Sequence, residues 1–222
     1  MVYLYRSCVD SLFATDSRLE RLCGIITPAR LERAGRTRDI TAKRTCIAVE
    51  LLLCLHMQKV GFKISDFPLN IVADKSGKPR FDTLCGDMPY FSFSHSHNMA
   101  LCGVTDHEIG VDIEKLRDID AKKRLFEKVN AAGDNTPSLI HAWSAKEAYL
   151  KLTGEGLTGE FKLSDIQVCE NTVLNTSRKD TAYLFQFEDA GFVISVCTRE
   201  KCEVKYEAVE TWEWEWGMGN SE

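Results

Sequence analysis

The chain has 222 residues, of which 44% are hydrophobic and 27% are charged, a balance typical of a folded globular protein rather than a disordered one. A net charge of −5 and a pI near 5.6 argue against a general nucleic-acid-binding protein. No apolar run approaches the roughly 20 residues that span a membrane, and the first residues lack the pattern of a signal peptide. Nine cysteines without any C-x-x-C pair predict a reduced, cytoplasmic protein.

The first part of the chain predicts a strand, a long helix and a turn. Residues 2–9, "VYLYRSCV", are rich in β-branched and aromatic side chains and predict an opening strand. Residues 41–60 contain neither Gly nor Pro and are apolar on most faces, so they predict a buried helix that ends at Gly61. "DKSGKPRF", residues 74–81, predicts a turn because it contains Gly and Pro.

A basic segment, "ARLERAGRTRDITAKR", lies between the opening strand and the end of the first helical turn, at residues 29–44. Six basic side chains against two acidic ones indicate either a solvated face or a site for a small anionic ligand, and charge alone favours neither. The basic residues are Arg30, Arg33, Arg36, Arg38, Lys43 and Arg44.

Short strands and two helices are predicted in the remainder. A second long helix is expected to begin at Thr136 as N-cap, with Pro137 in its first turn, and to end at Gly154. A shorter helix is predicted over residues 120–133 from its apolar spacing. Strands are predicted over residues 90–95, 99–105, 109–114, 161–168, 182–187, 191–197 and 203–209.

Both halves of the chain therefore show a long helix followed by several strands, which predicts an α+β fold of two similar lobes related by a pseudo-twofold axis. We place the lobes at residues 1–105 and 106–208, with the site at their interface. Residues 209–222 form a tail in which Trp alternates with Glu, either as an edge strand or as an unstructured end.

Two carboxylates stand two residues apart in the predicted strand 109–114. Asp112 and Glu114 therefore leave the same face, whereas Val111 and Ile113 point into a core. Two adjacent carboxylates repel each other unless a cation neutralises them. Oxygen ligands without Cys or His at ligand spacing favour Mg²⁺ over Zn²⁺. The alternative is an ordinary solvated strand with alternating charge.

The second long helix carries a stripe of polar residues at helical spacing. Trp143, Glu147 and Lys151 are separated by four residues each and share one helix face. Glu147 and Lys151 alone would make an ordinary surface ion pair. Beside a Trp anchor and a second lysine, Lys146, they also fit a carboxylate fixed by packing and a lysine directed at anions.

These motifs together resemble those of the 4′-phosphopantetheinyl transferases, in the two-lobed class that activates peptide and polyketide synthetases. "GVDIEK" (110–115) and "WSAKEAYLKLTGEGL" (143–157) resemble the paired G-[IV]-D-[IV]-E and W-x-x-K-E-x-x-x-K signatures. "GKP" (77–79) and "FSFSHS" (91–96) resemble two upstream elements. "TPARLERAGR" and "AKRTCIAVELLL" resemble the family's basic segment and first helix.

The resemblance implies transfer of the phosphopantetheine arm of coenzyme A to a serine of an apo acyl or peptidyl carrier protein, with release of adenosine 3′,5′-bisphosphate. It implies that Asp112, Glu114 and Glu147 bind Mg²⁺, and that Glu147 and Lys151 act in catalysis. It implies a first lobe that binds the nucleotide of coenzyme A and a second lobe that carries the metal ligands. The coenzyme contacts implied are Arg30, Arg33, Arg44, Thr45, Lys78, Pro79, Ser94, His95 and Lys151.

Two segments depart from the family pattern. The family has Gly after S-H-S, whereas this chain has His97 and Asn98, and we expect Asn98 to take the left-handed turn conformation. The segment between "RLF" and Trp143 is short and, although Glu127 follows Phe126, lacks a glutamate that matches the family pattern, so the choice of carrier protein does not carry over. We expect no nucleic-acid or membrane partner. We also expect a monomer, because two lobes in one chain are enough to form a site at their interface.

Two alternatives stay open at this stage. One is a catalytically silent homologue that binds coenzyme A or a nucleotide. The retention of three mutually repelling acids and Lys151 argues against it. The other is a transition-metal site built from His95, His97 and Cys102, for which no further ligand stands at the usual spacing.

Overall fold

Two antiparallel-rich sheets form the centre of the fold, as seen in a computed structural model that describes residues 1–13, 22–82, 87–116, 134–155 and 163–210. The helices are α1 (Val9–Leu12), α2 (Pro28–Gly35), α3 (Ile40–Lys59) and α4 (Leu139–Thr153). The strands are β1 (Val2–Cys8), β2 (Ile71–Ala73), β3 (Pro79–Phe81), β4 (Tyr90–Ser96), β5 (Met99–Thr105), β6 (Ile109–Lys115), β7 (Ile166–Cys169), β8 (Thr172–Asn175), β9 (Asp180–Asp189), β10 (Phe192–Thr198) and β11 (Val204–Ala208).

The first sheet has the order β11-β1-β5-β4, in which β11 is parallel to β1 and the other pairs are antiparallel. The second sheet has the order β6-β10-β9-β8-β7 and is antiparallel throughout. A separate hairpin joins β2 and β3. The prediction of an α+β fold is confirmed.

The two sheets pack face to face, and each carries one long helix on its other face. Leu4 and Leu101 of the first sheet share a buried cluster with Val111, Ile113 and Ile194 of the second. The helix α3 packs on the first sheet and α4 on the second, each with its own apolar cluster. This arrangement places the edge strands β4 and β6 next to each other between the two helices.

Most of the predicted elements are present where the sequence placed them. The opening strand, the helix ending before Gly61 and the strands β4, β5 and β6 match within about a residue. Gly61 has a φ of 106°, and Gly154 caps α4 with a φ of 75°, so both helices end at a residue that adopts the left-handed region easily.

Three expectations are corrected. The N-cap of α4 is Ser138 rather than Thr136, whose hydroxyl instead donates to the carbonyl of Ser138. The segment 74–81 is a turn closed by the β2–β3 hairpin rather than a turn alone. His97, not Asn98, adopts the left-handed conformation, with a φ of 55°.

The predicted division of the chain into two related lobes stays a prediction. The C-terminal strand β11, assigned to the second lobe, pairs with β1 in the first sheet. The helix predicted over residues 120–133 and the tail from residue 211 onward lie outside the described residues. None of the helices within the described ranges has the length and apolar character needed to cross a bilayer.

Candidate active site

A cavity of about 450 Å³ lies where β4, β6 and α4 meet α2 and the β2–β3 hairpin. Its volume is within the range of small-molecule sites. Ten of the predicted site residues line it: Arg30, Arg33, Lys78, Pro79, Ser94, His95, Asp112, Glu114, Glu147 and Lys151. The predicted residues Arg44 and Thr45 are not among the cavity-lining side chains described here; the Thr45 hydroxyl donates to carbonyls of its own helix.

Alternating serines of β4 hold the edge of the second sheet. The backbone N–H groups of Val111 and Ile113 donate to the hydroxyl oxygens of Ser92 and Ser94 at 3.1 and 3.3 Å. These serine hydroxyls replace the neighbouring strand that an edge strand lacks. The spacing of two in "FSFSHS" places all its serines on one face of β4, toward β6.

The same serines position the carboxylates of β6. The Ser94 hydroxyl donates to Oδ1 of Asp112 at 2.9 Å, and the Ser96 hydroxyl donates to Oε2 of Glu114 at 3.0 Å. The indole N–H of Trp143 donates to Oε1 of Glu114 at 3.1 Å, which confirms its predicted place on the polar stripe of α4. Both acids are therefore fixed by neighbours on two different elements.

The positive charge of Lys151 contacts one of the carboxylates. Its Nζ lies 2.8 Å from Oδ1 of Asp112 and 2.8 Å from the Ser94 hydroxyl. This ion pair neutralises one acid only. Oδ2 of Asp112 and Oε1 of Glu147 are both buried and form no hydrogen bond with the described residues.

The carboxyl group of Glu147 has a raised pKa. Burial, and then the negative charges of Asp112 and Glu114, raise its pKa from 4.5 to about 7, although Lys151 partly opposes the shift. A buried carboxylate next to two others is stabilised by adding a proton or a cation. The carboxylate end of the cavity therefore favours binding of either.

The opposite end of the cavity is basic and is organised by α2 and α3. Nε of Arg30 donates to Oε2 of Glu50 at 3.2 Å, and its guanidinium lies over the ring of Phe93 at 4.9 Å from the centroid. The buried Glu50 carboxylate also accepts from the N–H and hydroxyl of Thr27, the N-cap of α2. Arg30 is thus held in place before any ligand binds.

Glu50 and Phe93 were missed in the sequence. Glu50 is the one acid in the apolar helix α3, in "AVELLL", and an acid at a buried position indicates a basic partner. No comparable signal existed for Phe93, since its aromatic neighbours Phe91 and Tyr90 have the same strand pattern.

Two predicted lysines differ from expectation in what they contact. The ammonium of Lys78 lines the cavity but donates to the carbonyls of Ile109 and Leu152, at 3.2 and 3.0 Å, and so bridges β6 and α4. Lys146, which the sequence suggested as a lysine directed at anions, is buried in an ion pair with Asp134 at 2.8 Å.

His95 lines the cavity beside the basic side chains, whereas His97 and Cys102 are not among the residues that line it. Burial, followed by the charges of Lys151, Arg33 and Arg30, lowers the pKa of His95. Cys102 is fully buried in the cluster under α3, and burial raises its thiol pKa, which opposes metal-binding thiolate. Within the described ranges, no three His, Cys, Asp or Glu side chains are grouped closely enough to hold a metal ion.

Comparison with known proteins finds one family. A family model described as the 4′-phosphopantetheinyl transferase superfamily matches residues 108–197, which include Asp112, Glu114, Glu147 and Lys151. The 4′-phosphopantetheinyl transferase HetI of Nostoc sp. (strain PCC 7120) is 31% identical over 186 residues, covering 75% of this chain and 73% of the relative. The 4′-phosphopantetheinyl transferase Sfp of Bacillus subtilis (strain 168) is 26% identical over 194 residues, covering 80% and 84%.

Proposed function

The chain belongs to the 4′-phosphopantetheinyl transferase family, and on that premise we propose that it transfers the phosphopantetheine arm of coenzyme A to a serine hydroxyl of an apo carrier protein. The observation that supports this proposal most directly is the cavity in which arginines from α2 face carboxylates from β6 and α4. In the reaction the serine oxygen bonds to a phosphorus of the coenzyme diphosphate, and adenosine 3′,5′-bisphosphate leaves.

The basic end of the cavity suits the phosphates of coenzyme A. Arg30 and Arg33 offer planar guanidinium groups, which bind phosphate through two parallel hydrogen bonds. His95 adds a donor beside them, and Lys151 reaches toward the carboxylate end. Phosphates lying between these groups would place the diphosphate next to Asp112 and Glu147.

Glu147 is suited to accept the proton of the attacking serine. Without a bound cation its pKa of about 7 lies close to neutral pH, where a general base is most effective. Neighbouring Asp112 is held by Lys151 and Ser94, so its charge is already partly neutralised. We therefore assign the general-base role to Glu147 and the role of contacting the diphosphate to Lys151.

The carboxylates also fit Mg²⁺. Oδ2 of Asp112 and Oε1 of Glu147 are buried oxygen atoms without hydrogen-bond partners, and Mg²⁺ prefers oxygen ligands. Mg²⁺ commonly takes one or two carboxylates and completes its shell with water and substrate phosphate, so a set of three protein ligands is not required. Asp112 and Glu147, with Glu114 beside them, would hold the ion, which neutralises phosphate charge when bound.

We further propose that the protein acts as a monomer in the cytoplasm. One chain supplies both the arginines and the carboxylates of the cavity, so the proposed site does not need a second copy. The described cysteines are free thiols, as in a reducing compartment. A net charge of −5 means that an acidic carrier helix would dock on a local basic or apolar surface.

The test is to incubate the protein with coenzyme A, MgCl₂ and an apo carrier protein, and to measure the intact mass of the carrier. We expect a gain of one phosphopantetheine group, lost when a chelator removes the divalent ions. A protein that binds coenzyme A yet modifies no carrier from either fatty-acid or peptide synthetases would be the silent homologue instead.

A further inference from the structure

A second group of reactive side chains lies at the end of the fold where β5 turns into β6. Asp106 and His107 stand in that turn, and Cys202 lies in the segment between β10 and β11, two residues before Val204. Sγ of Cys202 is 3.0 Å from Nε2 of His107. Nδ1 of the same ring is 2.6 Å from Oδ1 of Asp106. None of these residues lines the cavity proposed for coenzyme A.

The carboxylate of Asp106, the imidazole of His107 and the thiol of Cys202 contact one another in the order that activates a thiol. A carboxylate that accepts from Nδ1–H leaves Nε2 as the acceptor that faces the thiol. The hydroxyl oxygen of Thr105 lies 3.1 Å from the same Asp106 oxygen and 2.9 Å from the carbonyl oxygen of Met1, so its one proton is shared between these two acceptors. The imidazole ring is largely covered, with 25% of its side chain exposed, whereas Asp106 is 84% exposed.

The Cys202 thiol has two hydrogen-bond acceptors, and they differ in whether they can act as a base. Sγ of Cys202 lies 3.2 Å from the carbonyl oxygen of Glu200. A carbonyl oxygen takes no proton from a thiol at neutral pH, but an imidazole does. Of the two described acceptors, His107 is therefore the one able to convert this thiol to the thiolate that reacts.

From this arrangement we propose that Cys202 is a thiol-exchange site, activated by His107 and Asp106, that forms mixed disulfides with low-molecular-weight disulfides. The Cys202 thiol gives its proton to Nε2 of His107, and the thiolate attacks one sulfur of the disulfide. An S–S bond to Cys202 forms, the original S–S bond breaks, and the other half leaves as a thiolate that takes up the proton. No further oxidant is needed.

The fold also provides an internal control. Cys169 on β7 is exposed, more so than the half-buried Cys202, and no described histidine contacts its thiol. If exposure alone decided reactivity, Cys169 would react first. If the histidine contact decides it, Cys202 reacts first.

The experiment incubates the full chain with oxidised glutathione and quantifies the mixed disulfide at each cysteine by peptide mass spectrometry over time. We expect Cys202 to react faster than Cys169, and His107→Gln to slow Cys202 by at least about tenfold while leaving Cys169 unchanged. Asp106→Asn, at a position that is 84% exposed, should retain the fold and slow Cys202 to an intermediate rate.

Two results overturn the proposal. One is a wild-type rate at Cys202 no higher than that at Cys169. The other is a Cys202 rate unchanged by Asp106→Asn and by His107→Gln, each with a circular dichroism spectrum like that of the wild type. If His107→Gln fails to fold, the Asp106→Asn rate decides alone.

Discussion

The cavity has a basic end and an acidic end, and at each end a charged side chain is fixed by contacts with residues of other elements. Glu50 and Phe93 hold Arg30 at the basic end. Ser94 and Lys151 hold Asp112 at the acidic end. At the scale of the residue, the charged groups of the site are therefore positioned before a ligand binds. A substitution that keeps the size of a side chain but removes its charge tests its chemical role without changing the packing.

Glu147→Gln should abolish transfer while the fold is retained. The amide keeps the size of the side chain but neither accepts the serine proton nor carries charge, so we expect kcat to fall by at least about 10²-fold. Rate is measured by carrier mass and folding by thermal unfolding. Glu170→Gln, at an exposed position on the β7–β8 turn, is the matched control and should transfer at the wild-type rate. Equal rates for the two variants would remove Glu147 from the mechanism.

Arg33→Ala should weaken coenzyme A binding, because the cavity loses one of its phosphate-binding guanidinium groups. A hydrogen bond to a charged group contributes about 1.5–3 kcal/mol, so the KM for coenzyme A should rise by at least about tenfold. Arg36→Ala, at the C-cap of the same helix, is the control, since the Arg36 side chain is 73% exposed and pairs with Glu32. The assignment fails if both variants have the same KM as the wild type.

At the scale of the element, close packing between β6 and α4 sets the distance between Asp112 and Glu147. Gly110 on β6 lies so near α4 that a Cβ there would be 2.0 Å from the Ala148 carbonyl oxygen and 2.3 Å from the Leu152 N–H nitrogen. Backbone cannot move aside as a flexible side chain does. Glycine at this position is therefore a requirement of the site as well as of the fold.

Gly110→Ala should destabilise the protein by about 3 kcal/mol or more, through overpacking against the helix backbone. Urea unfolding monitored by circular dichroism gives the value. Gly35→Ala is the control, because a Cβ at Gly35 would meet no atom within 4 Å. A free energy of unfolding for Gly110→Ala within about 0.5 kcal/mol of wild type would show that β6 and α4 separate easily.

The sequence predicted the elements that carry the site because each has a local signature. The alternation in "IGVDIE" gave both the strand and the face of Asp112 and Glu114, and helical spacing gave the stripe Trp143, Glu147 and Lys151. Such local patterns do not predict which strands, distant in sequence, come into contact. The donation from β6 to Ser92 and Ser94, and the pairing of β11 with β1, depend on how the sheets pack and were not predictable.

Chemically similar residues were also hard to rank from the sequence alone. Lys78, Lys146 and Lys151 are all close to site motifs, yet only Lys151 contacts a cavity carboxylate. The ammonium of Lys78 contacts backbone carbonyls, and Lys146 pairs with Asp134. Burial separates these roles, and burial depends on the packed fold.

At the scale of the whole molecule, the long helix α3 joins the first sheet to the basic end of the cavity. His56 of this helix is buried, and its Nδ1 lies within hydrogen-bond distance of the Tyr5 hydroxyl oxygen, at 3.0 Å. Burial, and then the charge of Lys59, lowers the pKa of His56 from 6.5 to about 4. Its neutral form therefore stabilises the fold.

This lowered pKa predicts a loss of stability in acid. The contribution of His56 is fully present above pH 6.5 and is lost as the pH falls toward 4, because the unfolded chain binds the proton more tightly. Relative to His56→Gln, the wild-type protein should lose about 3 kcal/mol between pH 7 and pH 4. Denaturant unfolding of both proteins at the two pH values measures the difference. Parallel losses in the two proteins would contradict it.

The most direct test of the central claim follows both products of one reaction. The protein is mixed with coenzyme A, Mg²⁺ and an apo carrier protein, and mass spectrometry quantifies the holo carrier and adenosine 3′,5′-bisphosphate over time. The wild-type protein should form the two in equal amounts, and Asp112→Asn should form neither at a comparable rate. Modified carrier without the bisphosphate, or an undiminished rate in Asp112→Asn, would contradict the proposed transfer at this cavity.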